Sequence, residues 1–423
     1  MTRFFAFPRF RKVSGNIDAA FIKNVMWLGV AQFFSMAAPY VVLGVVARRL
    51  GIEIFGVVTL TLVIVQICTI FTDFGFYISG VTQVSVHRRS KVKIRHIASG
   101  IYTAKIFLLV PSMAILLIAL NLGAVSFDGP SVFAALLILL NQAFVPTWLF
   151  HGAEKASELG RWIIGSKLGY AVLVVLLIDT QASAAGVLFL LGITGLMPSL
   201  FALLWMQKHG YFPNFLSSKL AMRQLKYSKD FFVARAAVST YSSISAAIVG
   251  IQGIQYASQY NSSEILYRAG QAVVSPIVQG LLPRLGTSKD FKMFYFVTAV
   301  AFFVLTLLVM IAIVFMDDLF VLIYGSDFLP PSALTVIFLV MIPLNFITAS
   351  FGYPAFTLLK SLTIPNQSAV LGAIICLISL VSLYFCGGIT PLNVALVAMT
   401  SEVIVLTIRV GTFFRLKIRS AYA

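Results

Sequence analysis

Charge is scarce in this chain. Only 11% of its 423 residues are Asp, Glu, Lys or Arg, where a soluble globular protein carries about 25%. Acids are scarcest, with 14 Asp and Glu against 31 Lys and Arg, while 60% of residues are hydrophobic. That balance excludes a water-soluble enzyme, a disordered chain and a basic nucleic-acid binder. Cysteine is scarce too. Cys68, Cys376 and Cys386 form no CxxC pair, which excludes a disulfide scaffold, a zinc ribbon and an iron–sulfur protein. The four histidines, His87, His96, His151 and His209, fall in polar connections, so no buried metal cluster is expected. No GxxxxGK[ST] occurs, so no P-loop hydrolyses ATP here, and no soluble stretch is long enough for a nucleotide-binding fold. No cofactor is expected.

Long apolar runs are what the chain has in plenty. About 20 apolar residues carry a helix across roughly 30 Å of hydrocarbon. By that measure the sequence predicts an all-α integral membrane protein of about twelve spans. The first six are expected near 24–47, 55–84, 99–123, 131–150, 162–180 and 185–206. The second six are expected near 229–250, 263–283, 292–316, 333–357, 367–386 and 391–414. The aromatic and basic N-terminal stretch from Arg3 to Lys12 is too short and broken for a signal peptide.

Basic residues in connections set orientation. The N-terminus, the connections following the even-numbered spans and the C-terminal tail hold 24 of the 31 basic residues, including Arg88, Arg89, Lys155, Lys219, Arg223, Arg415 and Lys417. The opposite side holds Arg48 and Arg49 alone. Both termini are therefore expected in the cytoplasm, and topology accounts for most of the net charge of +17. The long basic connection near 207–228 divides the chain into six-helix halves, 1–210 and 211–423. Secondary transporters are often built from two such halves with the substrate between them.

Five strings then fall in a telling order. They are Ala47-Arg48-Arg49-Leu50-Gly51 with Phe55-Gly56, Thr72-Asp73-Phe74-Gly75-Phe76, and Pro146-Thr147-Trp148-Leu149-Phe150-His151-Gly152. Tyr267-Arg268-Ala269 with Pro283-Arg284-Leu285, and Leu322-Ile323-Tyr324-Gly325, complete the set. From about residue 24 to 414 the chain resembles bacterial O-antigen and polysaccharide flippases of the multidrug/oligosaccharidyl-lipid/polysaccharide exporter superfamily. One string departs from the usual form, with His151 where Gln is usual. The resemblance implies a multi-pass protein of the bacterial inner membrane. It implies movement of an undecaprenyl-diphosphate oligosaccharide from the cytoplasmic to the periplasmic leaflet by ion-coupled alternating access. A polysaccharide polymerase and chain-length proteins are the implied partners, besides membrane lipids.

Such a substrate needs a cationic cavity between the halves, because its diphosphate and sugars cannot cross hydrocarbon. Charges inside spans usually face a cavity or a partner. Arg268 belongs to a stripe of Glu264, Arg268, Gln271, Ser275 and Gln279, at steps of 4, 3, 4 and 4, which share one helix face. Arg268, Gln271 and Ser275 are thus expected to line the outer path, with Arg268 about five residues from the outer end of its span. Lys105, Lys167, Arg235 and Arg409 lie nearer the inner side on four helices. They would either form an inner vestibule for diphosphate or snorkel to the interface. Asp73, in a second stripe with Gln66, Thr69 and Tyr77, and Glu402, at the centre of the last span with Arg409 two turns on, are the ion-coupling candidates. Asn141, Gln142 and Asn345 are expected to bridge helices. Prolines 39, 111, 146, 198, 276 and 343 are expected to bend theirs.

Two other functions stay open. A cation/drug antiporter of the same superfamily would prefer acidic lining, whereas the deep charges counted here are five basic and two acidic. A membrane polysaccharide polymerase would need catalytic acids on a large outer loop. The longest such loop, about 317–332, offers only Asp317-Asp318, which reads better as a solvated helix end.

Overall fold

The computed structural model describes residues 19–122, 128–179, 182–214, 217–239, 244–288, 291–325, 332–359, 361 and 363–422, with side chains from Val42 onward except at 121–122, 234–235, 237–239, 276, 279–280, 282–284, 286–288 and 420–422. Every regular element among them is a helix. Helix α1 (Ala19–Asp73) contains the first expected span and most of the second, joined at Gly51. There φ is 83° and ψ 176°, a conformation glycine adopts at no steric cost, so the chain turns without a loop. Helix α2 (Phe76–Val86) follows a sharp break at Phe74 and Gly75, where φ is 40° and 74°. Helix α3 (Lys91–Leu122) is continuous. Helices α4 (Gly129–Phe144) and α5 (Thr147–Gly152) are separated at Pro146, which has no N–H to continue the ladder.

Helices α6 (Ala156–Leu177) and α7 (Ala184–His209) complete the first half of the chain. Then come α8 (Ser218–Ser239), α9 (Ser245–Ile251), α10 (Ile254–Ser288), α11 (Phe291–Val314) and the short α12 (Met316–Tyr324). Helices α13 (Ser332–Ser350) and α14 (Tyr353–Leu358) are parted near Gly352, and α15 (Thr363–Phe385) and α16 (Pro391–Tyr422) close the chain. The helices continue unbroken through Pro111, Pro198 and Pro343. Pro146 falls at a break and Pro354 follows another near Gly352, while the breaks at Gly51, Gly75 and Gly253 fall at glycine and the one before α12 at Phe315.

Nine helical stretches among the described residues are long and apolar enough to cross a membrane, where the sequence predicts about twelve spans. The first of the nine is counted from Val42, so most of the first expected span lies outside the residues whose side chains are described; α8 and α10 are too polar to register by composition. Several expected boundaries also move. The connection near 207–228 is mostly helix, because α8 begins at Ser218 and packs its start on α3. The span expected at 263–283 begins nine residues earlier, at Ile254. Ala257 is therefore buried within α10 and is no connection; the turn lies at Gln252-Gly253. Reporter fusions after Lys93 and Lys219 are expected to read cytoplasmic, and fusions at Gly129, Gly253 and Gly388 periplasmic. A periplasmic signal after Lys93 would overturn the orientation drawn from charge.

The second part of α1 runs through the middle, packed on α3, α4, α6 and α10. Phe55, Val58, Val65 and Cys68 bury against Leu116, Leu139, Tyr170 and Val187, and also against Phe320 and Tyr324 of α12. A second core joins Val249, Tyr260, Phe338 and Phe346 to Cys376, Leu380 and Val394. The outside is apolar. On α11 alone Phe296, Phe303, Leu308, Met310 and Val314 are each more than half exposed, far beyond the apolar patch a water-soluble monomer shows. The two arginines that the charge pattern puts on the outer side have structural partners. Arg49 Nη1 donates to the Val175 and Ile178 carbonyls at the end of α6, each at 2.7 Å. Arg48 donates to the Val321 carbonyl in the last turn of α12 at 3.1 Å. Cations belong at helix C-termini, where carbonyls lack intrahelical partners.

Candidate functional site

Helix α10 carries the deepest polar face. Glu264 is buried, while Arg268, Gln271 and Ser275 are half-buried. Arg268 Nη2 donates to Glu264 Oε1 at 2.9 Å, one turn away. The Gln271 amide donates to the Tyr267 hydroxyl at 2.9 Å. Because α10 starts at Ile254, Arg268 stands 14 residues from one end and 20 from the other, about 21 Å along the axis. It stands near the middle of this helix, farther from its start than the expected span suggests. Snorkelling suits long cations near helix ends, so the longer helix weakens that reading. Glu264 adds a third deep acid to the two counted in the sequence. Gln279 has no described side chain.

Across the molecule, Lys105 and Asp73 meet. Lys105 on α3 is 3% exposed, and its Nζ lies 3.6 Å from Asp73 Oδ1 and 2.9 Å from the Ala143 carbonyl. That carbonyl is free because Thr147, its normal helical donor, bonds Val145 at the Pro146 break. The neighbouring Phe144 carbonyl accepts from the Tyr102 hydroxyl at 3.0 Å, one turn before Lys105 on α3. Asp73 is the last residue of α1 before its own break. One lysine thus ties together two interrupted helices. Beside it, Thr69 donates to Gln142 Oε1 at 2.7 Å, and the Tyr77 hydroxyl meets His151 Nδ1 at 2.8 Å. His151 therefore belongs to a helix and a polar cluster, not to a connection.

The remaining candidates are dispersed. Lys167 lies at the middle of α6, half-buried on the face of Leu159, Tyr170 and Val174, against α1. The sequence puts it about five residues into its span. The backbone of Arg235 lies in α8, but its side chain is outside the described residues. Arg409 donates to Ser368 Oγ at 2.9 Å and to the Thr348 and Pro365 carbonyls at 2.8 and 3.1 Å. Thr348 is freed because the Gly352 N–H turns to Ala349. Glu402 is 3% exposed and accepts from Asn345 Nδ2 at 3.1 Å, which makes Asn345 the bridge that the sequence suggests. Asp317 and Asp318 are exposed in the first turn of α12, as a solvated helix start should be.

The structure adds residues that sequence reading missed. At the basic end, α2 and α8 form an antiparallel zipper. Phe74 stacks on Phe232 with centroids 4.4 Å apart, Ser79 meets Ser228 at 2.7 Å, and Gln83 donates to Gln224 at 2.8 Å. A Cβ on Gly75 would stand 2.7 Å from the Phe232 nitrogen, so only glycine permits the approach. At the opposite end α10 closes on α1. Ser258 Oγ donates to the Ile52 carbonyl at 2.9 Å, and Asn261 Nδ2 donates to Thr59 Oγ1 at 3.1 Å. The i, i+4 spacing of Ser79 with Gln83 and of Gln224, Ser228 and Phe232 was a signal available in the sequence. Ser258 and Asn261 were hidden because that polar stretch reads as a loop.

These features define a class: a multi-pass helical membrane protein with ionisable groups buried among its helices and close interhelical contacts at both ends. Residues 21–289 match the family described as "Polysaccharide biosynthesis protein", and the chain belongs to that family. It is 25% identical over 270 residues to a "Putative O-antigen transporter" of Escherichia coli K12, spanning 63% of this chain and 65% of that relative. A Shigella dysenteriae relative of the same description is 23% identical over 273 residues, covering 64% and 68%. Among solved structures, the lipid II flippase MurJ in an inward closed conformation superposes with a TM-score of 0.68 at 12% identity, over 94% of this chain and 91% of that one. An outward-facing multidrug resistance MATE family transporter of the MOP superfamily gives 0.61 at 13%, over 95% and 96%. At such identities the likeness is one of fold.

Proposed function

We propose that this protein is a transporter and no enzyme, and that it moves a lipid-linked oligosaccharide across the bacterial inner membrane. The head group, an undecaprenyl-diphosphate-linked O-antigen or related repeat unit, would pass from the cytoplasmic to the periplasmic leaflet. The two halves, 1–210 and 211–423, would alternate access to it. One observation carries the reading: Arg268, held by Glu264 at the middle of a 35-residue polar-faced helix. A diphosphate can compete with one carboxylate for a guanidinium fork. An exchangeable partner of that kind suits a site that must bind and then release. Gln271 and Ser275 continue the route on the same face, with Lys167 and Arg235 as further cations. Lys105 and Asp73, Arg409 and Glu402 set the two halves around it, and proton or sodium coupling would act at Asp73 or Glu402. The names of the E. coli and Shigella relatives agree with this cargo, and so does the fold likeness to MurJ.

The zipper and the α1–α10 contact would be the inner and outer gates. Purified protein in liposomes should flip lipid-linked oligosaccharide, and an imposed proton or sodium gradient should change the rate. A Ser79→Cys/Ser228→Cys variant lacking the three native cysteines should cross-link under oxidation, stop flipping, and recover on reduction. Full flipping by the cross-linked protein would show that the zipper does not open. Transport of cationic drugs without flipping would favour the antiporter reading.

A further inference from the structure

Helices α6 and α7 leave a cleft of about 820 Å³ between them on the outside of the bundle. Arg161, Trp162 and Gly165 line one wall, and Met197, Phe201, Leu204 and Lys208 the other. The second set steps by 4, 3 and 4, one face of a helix, and spans about 16 Å. That is roughly half the thickness of the hydrocarbon core.

Charge gathers at one end. Arg161 is near the start of α6 and Lys208 in the last turn of α7, and both connections lie on the side that the charge pattern assigns to the cytoplasm. Glu158, also at this end, does not cancel them, because its carboxylate is taken by Lys155 at 2.9 Å and by the Trp205 indole N–H. Among the described residues Arg161 commits only its Nε, to the Ser157 carbonyl one turn back at 3.3 Å. Lys208 makes no hydrogen bond or ion pair among the described residues. Both keep donors facing outward. Below them the walls are apolar. Trp162 stacks on Phe201 with centroids 4.9 Å apart, and Leu204 and Met197 are 66% and 42% exposed. Gly165 leaves a gap in which an added Cβ would touch nothing within 4 Å.

We propose that this cleft binds an anionic glycerophospholipid of the inner leaflet. Its phosphate would bridge Arg161 and Lys208, and one acyl chain would lie along Trp162, Phe201 and Leu204 over Gly165. Basic pockets between helices on the cytoplasmic side suit anionic head groups. The slot is one leaflet deep, the reach of an acyl chain, whereas a polyprenyl tail is several times longer. The site is separate from the proposed transport path, since Lys167 lies on the α6 face that packs against α1.

Native mass spectrometry of the purified full chain in detergent, titrated with dioleoyl-phosphatidylglycerol, dioleoyl-phosphatidylcholine or undecaprenyl phosphate, tests this. Wild type should bind phosphatidylglycerol in preference to both others. Arg161→Gln/Lys208→Gln should weaken that binding about thirtyfold, from roughly 1 kcal/mol per basic side chain. Gly165→Phe keeps both charges and removes a helix-weakening glycine, yet fills the slot and should also lose the lipid. Equal binding of the two phospholipids, or unchanged binding by either variant, would overturn the proposal. So would a preference for undecaprenyl phosphate, which would make the cleft a carrier site. The readout involves no flipping, so its failure and that of the transport reading are told apart.

Discussion

Arg268→Ala should lower polysaccharide export at least 10–100-fold in a flippase-null strain, the loss expected when a charge-assisted bond worth about 1.5–3 kcal/mol is removed. Part of any loss could arise from folding, because the variant leaves Glu264, 6% exposed at its side chain, without its cation. Breaking a buried pair from one side costs about 3–5 kcal/mol; Arg268 is 33% exposed, so the cost here should be smaller. Arg268→Gln/Glu264→Gln removes both charges together. Its membrane abundance should return to near wild type while export stays low, since the anion would have lost its guanidinium. Arg268→Lys keeps the charge without the fork and should export partially. Full export by the double Gln variant, with protein quantified in the membrane, would reduce the pair to a structural contact and remove Arg268 from the path.

Lys105 gives the second large effect, and its first readout is stability. The sequence alone suggests that replacing Lys105, Lys167 and Arg235 together would stop export at normal abundance. With Lys105 buried against Asp73 and the Ala143 carbonyl, that expectation changes. Lys105→Gln should destabilise the protein by about 3 kcal/mol, seen as lower membrane abundance and a lower Tm in detergent. Lys105→Met/Asp73→Leu, which leaves no charge behind, should recover much of that loss, because apolar replacement of a buried pair is often close to neutral. A double-mutant cycle isolates the coupling. Export by the recovered double variant then separates two roles. If it exports normally, Asp73 is not the coupling acid, and the pair serves only to hold the breaks at Gly75 and Pro146. If it is stable and inert, coupling at Asp73 gains direct support. Lys167→Gln, with no carboxylate left behind among its described neighbours, should leave abundance unchanged and report on transport alone.

The sequence by itself determined the class of fold. Apolar runs of about 20 residues in a chain with 11% charge leave few alternatives to a helical bundle in lipid, because backbone groups there must bond within the helix. It also put Arg268, Lys105, Lys167, Glu402 and Arg409 inside helices, where the fold has them. Periodicity placed Arg268, Gln271 and Ser275 on one face, and that face is half-buried. Tertiary structure alone decided what these groups bind. Lys105 and Arg409 spend donors on carbonyls at Ala143 and Thr348, which are free only because helices α4 and α13 stop nearby. Tertiary structure also decided position along the helix, since one that begins at Ile254 behind a polar stretch carries Arg268 near its middle. Pattern reports neighbours within one helix, three or four residues apart. Partners such as Asp73 and Lys105, or Phe74 and Phe232, lie 32 and 158 residues apart, and only the packing of whole helices brings them together.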